Sequence, residues 1–152
     1  MQNISEKYAP VARKVKVVQF GEGNFLRAFA DWMIDVANES GAFDGNVAII
    51  KPRAHGDISA FNDQKCVYTV QLRGLDGKPT VQTRVVRSVD RIINPFEDGK
   101  AFFELACSDD LRFVISNTTE AGIEFRAGEP KPVGLGMSLT FPGKLTQMLY
   151  AR

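Results

Sequence analysis

Residues 15–51 read VKVVQFGEGNFLRAFADWMIDVANESGAFDGNVAIIK, and this stretch decides the fold. Its first six residues, 15–20, are rich in β-branched side chains and predict a short buried strand. A turn, Gly21–Asn24, follows, and from Phe25 to about Ser40 the spacing of apolar side chains becomes that of a helix. Residues 46–50 (NVAII) predict a second strand. The stretch therefore predicts a βαβ unit whose first connection is a glycine turn.

The predicted helix has one polar face. Its polar side chains recur at helical spacing at Arg27, Asp31, Asp35 and Asn38. Apolar side chains cover the rest of the helix: Phe25, Leu26, Phe29, Trp32, Met33 and Val36. Gly41 stands where a glycine commonly ends a helix.

Two alternating segments follow the βαβ unit. Residues 66–73 and 80–89 each alternate apolar and polar side chains, and the connection between them, residues 74–79, is rich in turn-forming residues. This pattern predicts a β-hairpin, added antiparallel to an otherwise parallel sheet.

The last third of the chain continues the alternation of helix and strand. Asn94–Pro95 breaks the chain; residues 96–107 then predict a helix and residues 111–115 a strand, while residues 128–136 predict a loop. Pro142 suits the first turn of a final helix. The predicted fold is α/β: one Rossmann-like domain, residues 1–152, with a doubly wound and mainly parallel sheet. We expect this domain to be incomplete, because a further strand should follow the final helix.

Composition excludes several classes of partner. The 152 residues are 44% hydrophobic and 24% charged, as in an ordinary soluble domain. The formal net charge of +1 gives no electrostatic reason to expect nucleic acid or an anionic membrane as a partner. The apolar runs are too short to span a bilayer, and the polar residues 1–10 do not resemble a secretory signal.

Cysteine and histidine usage predicts neither disulfides nor a metal site. Cys66 and Cys107 match no zinc or redox spacing, so we expect free thiols in a cytoplasmic protein. His55 is the single histidine of the sequence, and no cysteine stands near it in the pattern of a zinc ligand set.

The glycine turn predicts a phosphate site. The first turn of a helix offers unpaired N–H groups and the positive end of the helix dipole. Gly21 permits the tight turn, and Gly23 lets a pyrophosphate approach the backbone. The third glycine of the usual dinucleotide fingerprint is replaced by Leu26. Arg27 can contact a cofactor phosphate or pair with Asp31 at the surface.

The residues after the second predicted strand do not decide between NAD and NADP as the cofactor. An acidic residue there would bind the ribose 2′-hydroxyl of NAD, but the sequence offers Lys51, Pro52 and Arg53, with no acid before Asp57. A basic residue at this place can accept the additional phosphate of NADP, or be a solvated loop charge.

The polar run Ser116–Glu120 follows a predicted strand. Ser116, Asn117 and Thr118 can contact the ribose or nicotinamide of a dinucleotide at this edge of the sheet, and Glu120 can reach a substrate or a proton-relay water. The alternative is a helix-capping box, with a Thr or Asn cap and Glu120 in the first turn.

Three segments resemble one family. Residues 19–29 (QFGEGNFLRAF) resemble the G-x-G-x-F-x-R-A signature of the polyol-specific long-chain dehydrogenases, which include mannitol dehydrogenases, fructuronate reductases and tagaturonate reductases. Residues 116–123 (SNTTEAGI) are similar to the family's Thr-Glu-x-Gly motif after the fourth parallel strand, and residues 141–146 (FPGKLT) to its Phe-Pro-x-Lys-Leu segment. The residues of these segments are most similar to those of the tagaturonate-reducing branch of the family.

The resemblance implies a function. It implies hydride transfer between NAD(H) and C3 of an aldonate, tagaturonate being reduced to altronate in hexuronate catabolism without a metal; NADP stays an alternative cofactor. The residues expected to bind the cofactor are Phe20, Gly21, Gly23, Asn24, Phe25, Leu26, Arg27, Ser116, Asn117 and Thr118, with Glu120 as an accessory catalytic residue. The expected partner is a small sugar acid, and the oligomeric state stays open.

The family's catalytic motif is absent from the sequence. The resemblance places it, as Lys-x4-Asn-x2-His, in a helical C-terminal domain, whereas the position three residues before His55 is Pro52. We therefore expect the chain to be the cofactor-binding part of a longer enzyme and to be inactive alone. Alternatives are a fructuronate reductase, a mannitol dehydrogenase, or, in another class, a non-catalytic nucleotide-binding or interaction module.

Overall fold

The computed structural model describes residues 3–75, 79–130 and 136–152. Its helices are α1 (Ile4–Lys7), α2 (Asn24–Ala28), α3 (Ala30–Glu39), α4 (Ser59–Asp63), α5 (Gly99–Ala106) and α6 (Phe141–Ala151), with a 3-10 turn at Glu120–Gly122. Its strands are β1 (Val15–Phe20), β2 (Asn46–Ile50), β3 (Tyr68–Leu75), β4 (Pro79–Val86), β5 (Val89–Ile93) and β6 (Phe113–Ser116).

Four strands form one parallel sheet in the order β5-β2-β1-β6. β1 pairs with β2 on one side and with β6 on the other, and β2 pairs with β5. The chain therefore builds the sheet outward from β1 to β5 and then returns to the other side of β1. The strand order reverses between β1 and β6, which is the arrangement of a doubly wound α/β sheet. The predicted fold class is confirmed.

Apolar side chains cover both faces of the sheet. On one face Val18, Ile50 and Phe102 belong to a core completed by α5 and α6. On the other face Val47 and Ile49 pack with residues of α3, α4 and the hairpin. Every residue of β2 is buried, which explains why its sequence is an unbroken apolar run rather than an alternation.

The polar face of α3 is its buried face. Asp35 accepts hydrogen bonds from Arg84 Nε at 2.7 Å and from the Arg87 main-chain N–H at 2.8 Å, so it holds the helix against the end of the hairpin. Asn38 exchanges two hydrogen bonds with Gly45, at 2.9 and 3.1 Å, and thereby closes the turn before β2. These partners offset the cost of burying polar groups.

Three of the apolar side chains predicted on this helix are correspondingly exposed, whereas Leu26 is buried. Phe25, Phe29 and Met33 leave 58%, 50% and 46% of their surface accessible. The helix predicted over residues 25–40 is also divided in two. Phe29, with φ −114° and ψ −73°, ends α2 and precedes α3.

Asp31 is fully buried in a polar cluster on the same face of α3. The Tyr68 hydroxyl donates to Asp31 Oδ2 at 3.0 Å, while Oδ1 has no hydrogen-bond partner. The Gln19 side chain, also fully buried, keeps its own Oε1 without a partner. Burial raises the pKa of Asp31 to about 7, although Tyr68, Gln19 and Arg27 act in the opposite direction. The alternative of a surface ion pair between Arg27 and Asp31 is therefore wrong, because Asp31 is not at the surface.

The hairpin is confirmed, but its predicted place in the fold is wrong. β3 and β4 pair antiparallel and form a separate two-stranded sheet rather than joining the parallel one. The strands extend to Leu75 and from Pro79, so the predicted connection is shorter; its residues 76–78, like residues 131–135 of the predicted loop 128–136, lie outside the described residues.

Sequence reasoning missed β5. The alternating run of residues 80–89 predicts one strand, but β4 ends at Val86. Ser88 is fully buried, and its hydroxyl donates to the Asp31 main-chain carbonyl at 2.8 Å. Val89–Ile93 then pairs parallel with β2. Two neighbouring exposed residues interrupt the period-2 pattern of β5, which hid the strand.

Two boundaries also shift. α5 begins at Gly99 rather than at Phe96, because the Asp98 side chain caps it by accepting from the Ala101 N–H at 2.9 Å. Strand β6 begins at Phe113 rather than at Leu111. The final helix begins as predicted, with Pro142 in its first turn.

The buried Asp31 carboxyl predicts a pH-dependent stability. Its pKa in the fold, about 7, lies above the value of about 4 for a solvated aspartate, so the unfolded chain loses this proton first as the pH rises. Stability should therefore fall between about pH 4 and pH 7. We expect Asp31→Asn to remove this slope and to raise the free energy of unfolding at pH 8 by about 1–3 kcal/mol.

Urea unfolding at pH 5 and pH 8 measures this effect. Asp44→Asn is the matched control, because the Asp44 side chain is 81% exposed. Parallel pH profiles for the wild type and Asp31→Asn would contradict the prediction.

Candidate functional site

A cleft of about 460 Å³ opens at the carboxyl ends of β1, β2 and β6. This is the edge at which a doubly wound sheet binds its ligands, and the cleft lies where the strand order reverses. The strand ends contribute Phe20, Gly21, Pro52, Arg53, Asn117, Thr118 and Thr119; the other wall consists of Ala121, Gly122, Glu124, Arg126, Leu139, Thr140 and Phe141.

The glycine turn connects β1 to α2 at the cleft. Gly21 has φ +111°, a conformation that L side chains rarely adopt, and its N–H donates to the Ile50 carbonyl at 3.0 Å. Gly23 precedes the first residue of α2 with an ordinary φ of −66°. A Cβ at Gly23 would meet no heavy atom within 4 Å. The geometry therefore requires glycine at position 21, whereas at position 23 glycine keeps open space in front of the turn.

The remaining residues predicted around this turn lie in different environments. Phe20 is buried and makes an edge contact with Phe141, with ring centroids 5.2 Å apart. Leu26 is buried, whereas Phe25 is exposed and stacks on Phe29 at 5.4 Å. Of the predicted set on β1 and α2, the structure brings Phe20 and Gly21 to the wall of the cleft.

Arg27 points to a second, smaller depression. Its guanidinium lies 4.6 Å from the ring centroid of Phe61 and 5.5 Å from that of Tyr68, and it donates to Asn24 Oδ1. Asn24, Arg27 and Tyr68 line this depression together. Cation–π contacts of this kind fix a guanidinium in place.

The polar run after β6 reaches the cleft in part. Asn117 and Thr118 line it, while Ser116 ends β6 and its hydroxyl contacts that of Thr118. Glu120 is exposed at the start of the 3-10 turn and is not among the residues that line the cleft. The alternative of a capping box is wrong, since the Thr119 side chain makes no capping hydrogen bond.

The two basic residues that follow β2 differ in exposure: Lys51 is buried and Arg53 is exposed. Lys51 leaves 1% of its surface accessible, and its ammonium donates to the carbonyls of His55 at 2.6 Å and Ala54 at 3.3 Å. It is therefore neither a solvated charge nor free to bind a cofactor phosphate. Arg53 is exposed and lines the cleft.

The opposite wall was missed by sequence reasoning. Thr140 caps α6 by accepting from the Gly143 N–H at 3.2 Å, and Glu129 accepts from the Thr140 N–H at 2.7 Å and from its hydroxyl at 2.8 Å. Lys144 is fully buried and donates to the carbonyls of Leu139 at 2.8 Å and Thr140 at 3.3 Å. Burial lowers the pKa of Lys144 to about 8. The FPGKLT segment was the available signal for this wall.

Neither a metal cluster nor a membrane span is found in the part of the chain that the structure describes. No three His, Cys, Asp or Glu side chains there are grouped to hold a metal ion. No helix among those residues combines the length and apolar character needed to cross a bilayer. Cys66 is buried and Cys107 exposed, both as free thiols, and burial raises the pKa of Cys66 to about 11.

The family model of the mannitol dehydrogenase Rossmann domain matches residues 15–152. The chain belongs to this family. The match begins at the first residue of β1 and includes the glycine turn, the polar run after β6 and helix α6.

Curated relatives of this mannitol dehydrogenase Rossmann domain are much longer than the chain. An altronate oxidoreductase of Bacillus subtilis (strain 168) is 44% identical over an alignment of 155 positions, which covers 99% of this chain and 31% of that protein. An altronate oxidoreductase of Phocaeicola vulgatus is 41% identical over 97% of this chain and 30% of that protein. The chain thus spans about 30% of the length of these relatives.

Solved structures share the fold. A Pseudomonas fluorescens mannitol 2-dehydrogenase, in a ternary complex with NAD and D-mannitol, aligns with a TM-score of 0.63 and 22% identity over 72% of this chain and 23% of its own. A substrate-free D-sorbitol dehydrogenase aligns with a TM-score of 0.60 and 22% identity over 76% of this chain and 24% of its own. At this level of identity the likeness concerns the Rossmann fold alone.

The two glycines of this mannitol dehydrogenase Rossmann domain should respond differently to substitution. Gly21→Ala places a Cβ on a residue with φ +111°, and we expect a loss of about 1–3 kcal/mol in the free energy of unfolding. Gly23→Ser should change stability by less than about 0.5 kcal/mol, because φ is ordinary, the space is open and Ser is a good N-cap residue. Urea unfolding of both variants measures the difference, and equal losses would contradict this account of the turn.

Proposed function

We propose that the chain is the cofactor-binding part of an oxidoreductase that transfers hydride between NAD(H) and a sugar acid. The observation that carries the proposal is the cleft at the reversal of strand order, with a glycine turn at the carboxyl end of β1, in a chain of the mannitol dehydrogenase family. The relatives named altronate oxidoreductase support the choice of a sugar acid, with altronate and tagaturonate as the substrate pair.

The residues present fit a dinucleotide. The absence of any heavy atom near a Cβ position at Gly23 leaves room for a pyrophosphate beside the main chain, and Gly21 sustains the turn that presents this surface. Asn117 and Thr118 offer amide and hydroxyl groups on the other side of the reversal, next to the end of β1. When bound, the nicotinamide ring supplies the hydride acceptor or donor.

The remaining predicted residues have supporting roles in this proposal. Asn24 and Leu26 form the start of α2, whose first N–H groups face the turn, and Leu26 anchors that segment in the core. Ser116 orients Thr118 through the contact between their hydroxyls. Phe25 and Arg27 are proposed as cofactor ligands on the family resemblance, since Arg27 lines the separate depression with Asn24 and Tyr68.

Catalysis requires residues that this sequence does not contain. The family resemblance assigns the catalytic lysine, asparagine and histidine to a Lys-x4-Asn-x2-His segment, and no such segment occurs in residues 1–152. Glu120 is proposed as an accessory proton-relay residue, consistent with its exposure beside the cleft wall. We therefore propose cofactor binding without turnover for the chain alone, and sugar-acid oxidoreduction for a protein of the length of its relatives.

Titration with NADH tests the proposal. Saturable enhancement of NADH fluorescence is expected for the chain, and Gly23→Val should raise the Kd at least about tenfold, because a branched side chain would occupy the space in front of the turn. Gly74→Val is the matched control: Gly74 lies in β3, and its Cβ would make an ordinary contact, 3.7 Å from Thr80 Oγ1.

The titration has two contrary outcomes. A folded wild-type chain that does not bind NADH contradicts the proposal. Equal Kd values for the Gly23→Val and Gly74→Val variants would contradict the placement of the pyrophosphate at Gly23.

A second candidate is a non-catalytic interaction module. An apolar groove beside β6 favours it, since Met33 of α3, Phe43, and Phe113 and Ile115 of β6 line a depression that is almost free of polar atoms. Phe113 is 55% exposed at the edge of the sheet. Size-exclusion chromatography at rising concentration distinguishes the two functions when it is combined with the NADH titration, because an interaction module would associate without binding the dinucleotide.

A further inference from the structure

A buried glutamine supports the glycine turn from within the sheet. Gln19 lies in β1, between β2 and β6, and is fully buried. Its Nε2 donates to the Gly21 carbonyl at 3.0 Å, while the Gly21 N–H donates to the Ile50 carbonyl at 3.0 Å. Both main-chain polar groups of Gly21 are therefore bonded, and one of the two bonds comes from the Gln19 side chain.

A buried carboxyl neighbours this glutamine. Asp31 of α3 is fully buried, and the Gln19 side chain is one of the groups that lower its pKa by hydrogen bonding. Over the described residues, neither Asp31 Oδ1 nor Gln19 Oε1 accepts a hydrogen bond. Acceptors left unpaired away from water are costly, and one proton shared between the two side chains removes both costs. A protonated Asp31 carboxyl provides it, because its O–H can donate to the Gln19 amide oxygen.

The other charged and titratable groups around Asp31 leave room for this proton. The Tyr68 hydroxyl of β3 donates to Asp31 Oδ2 at 3.0 Å and thus serves the other carboxyl oxygen. Arg27 of α2 lowers the pKa of Asp31 by its charge, but the two side chains form no salt bridge. Asp35, one turn along α3, is paired with Arg84 of β4 at 2.7 Å. Burial outweighs these neighbours and sets the pKa of Asp31 at about 7.

Loss of the proton changes what the glutamine amide can hold. An ionised Asp31 has only acceptors, so its Oδ1 requires a donor, and the amide N–H groups of Gln19 are the neighbouring donors. An amide that turns its Nε2 towards the carboxylate withdraws it from the Gly21 carbonyl. The amide oxygen that takes its place there is an acceptor facing an acceptor. The support of the glycine turn is therefore lost when Asp31 ionises.

We infer that Gln19 and Asp31 are positioning residues of the glycine turn, which keeps its cofactor-binding geometry only while the Asp31 carboxyl carries a proton. This inference rests on the proposed function. The affinity of the chain for a dinucleotide is therefore highest at mildly acidic pH and falls as the pH rises through neutrality. Because the coupling is reciprocal, binding of the dinucleotide takes up a proton.

Fluorescence titrations of the chain with NADH between pH 6 and pH 9 test the inference, because the pyrophosphate diester of NADH keeps its charge over this range. With a pKa of about 7, roughly a tenth of the chain retains the Asp31 proton at pH 8. The Kd for NADH should therefore rise about tenfold from pH 6 to pH 8. Calorimetric titrations in two buffers of different ionisation enthalpy should show an uptake of about half a proton at pH 7.

Asp31→Asn imitates the protonated carboxyl at every pH, since the new amide N–H can donate to Gln19 Oε1. Its Kd for NADH should stay within about threefold of the wild-type value at pH 6 over the whole range. Asp44→Asn is the matched control and should keep the wild-type pH profile, because the Asp44 side chain is 81% exposed. An aspartate that only supports the fold would, when replaced, change the free energy of unfolding without flattening this profile.

Gln19→Met tests the link between Asp31 and Gly21. Methionine keeps the length of the side chain and removes the amide, so the Gly21 carbonyl loses its side-chain donor at every pH. We expect the Kd for NADH at pH 6 to rise about 3- to 10-fold and to vary less than about twofold up to pH 9. If the charge of Asp31 instead acted directly on the pyrophosphate, Gln19→Met would retain the pH dependence, and that result overturns the inference.

The outcomes separate this inference from the proposed function. Binding of NADH with equal Kd values at pH 6 and pH 8 overturns the inference alone, as does an Asp31→Asn variant that keeps the wild-type pH profile. Failure of a folded wild-type chain to bind NADH at any pH overturns the proposed function and this inference together. If Gln19→Met does not fold, the profiles of the wild type and Asp31→Asn and the proton uptake still decide the inference.

Discussion

The position of β1 between β2 and β6 is the constraint on which the rest of the molecule depends. Because both neighbours run parallel to β1, their carboxyl ends are brought to one edge of the sheet together with its own. For this reason three segments that are distant in sequence meet at this edge. They are the glycine turn, the turn of residues 51–56 after β2, and the polar run after β6. Parallel pairing of this kind also requires cover on both faces, which the two apolar cores provide.

Buried polar side chains then fix the connections that the sheet leaves free. Asn38 closes the turn before β2, Asp35 holds α3 to the end of the hairpin, and Lys51 and Lys144 each hold two main-chain carbonyls. Each of these groups satisfies main-chain atoms that would otherwise be unpaired away from water. Each of the two walls of the cleft is thus held by a buried lysine ammonium, which donates its hydrogen bonds to main-chain carbonyls.

Local sequence patterns were sufficient to predict the strands and the helix whose burial follows directly from their own residues. β1, β2 and α6 have the bounds or the starts that their sequences indicate, because apolar runs and an N-terminal proline report directly on burial and on helix initiation. β5 could not be found in this way, since its exposed residues follow from pairing with β2 rather than from its own period. Nor could the burial of Asp31, whose partner Tyr68 is 37 residues away.

The residues of the candidate site likewise differ in whether the sequence could predict them. Phe20, Gly21, Asn117 and Thr118 could be predicted because they stand at strand ends, whose place in a doubly wound sheet is general. The wall around Thr140 was signalled by the FPGKLT segment alone, and its geometry was not predictable because it depends on a contact with Glu129 across eleven residues. The role of Lys51 was also hidden, because a lysine in a turn is ordinarily solvated.

The fastening of residues 51–56 has an evolutionary consequence. Lys51 and Asn94 hold the turn through the carbonyl groups of Ala54 and His55, and every residue type supplies a carbonyl. The Arg53 side chain, by contrast, is exposed and makes no salt bridge among the described residues, so a substitution at position 53 leaves the hydrogen bonds that hold the turn in place. Single substitutions at position 53 can therefore alter what the end of β2 presents to the cleft while the turn itself keeps its shape.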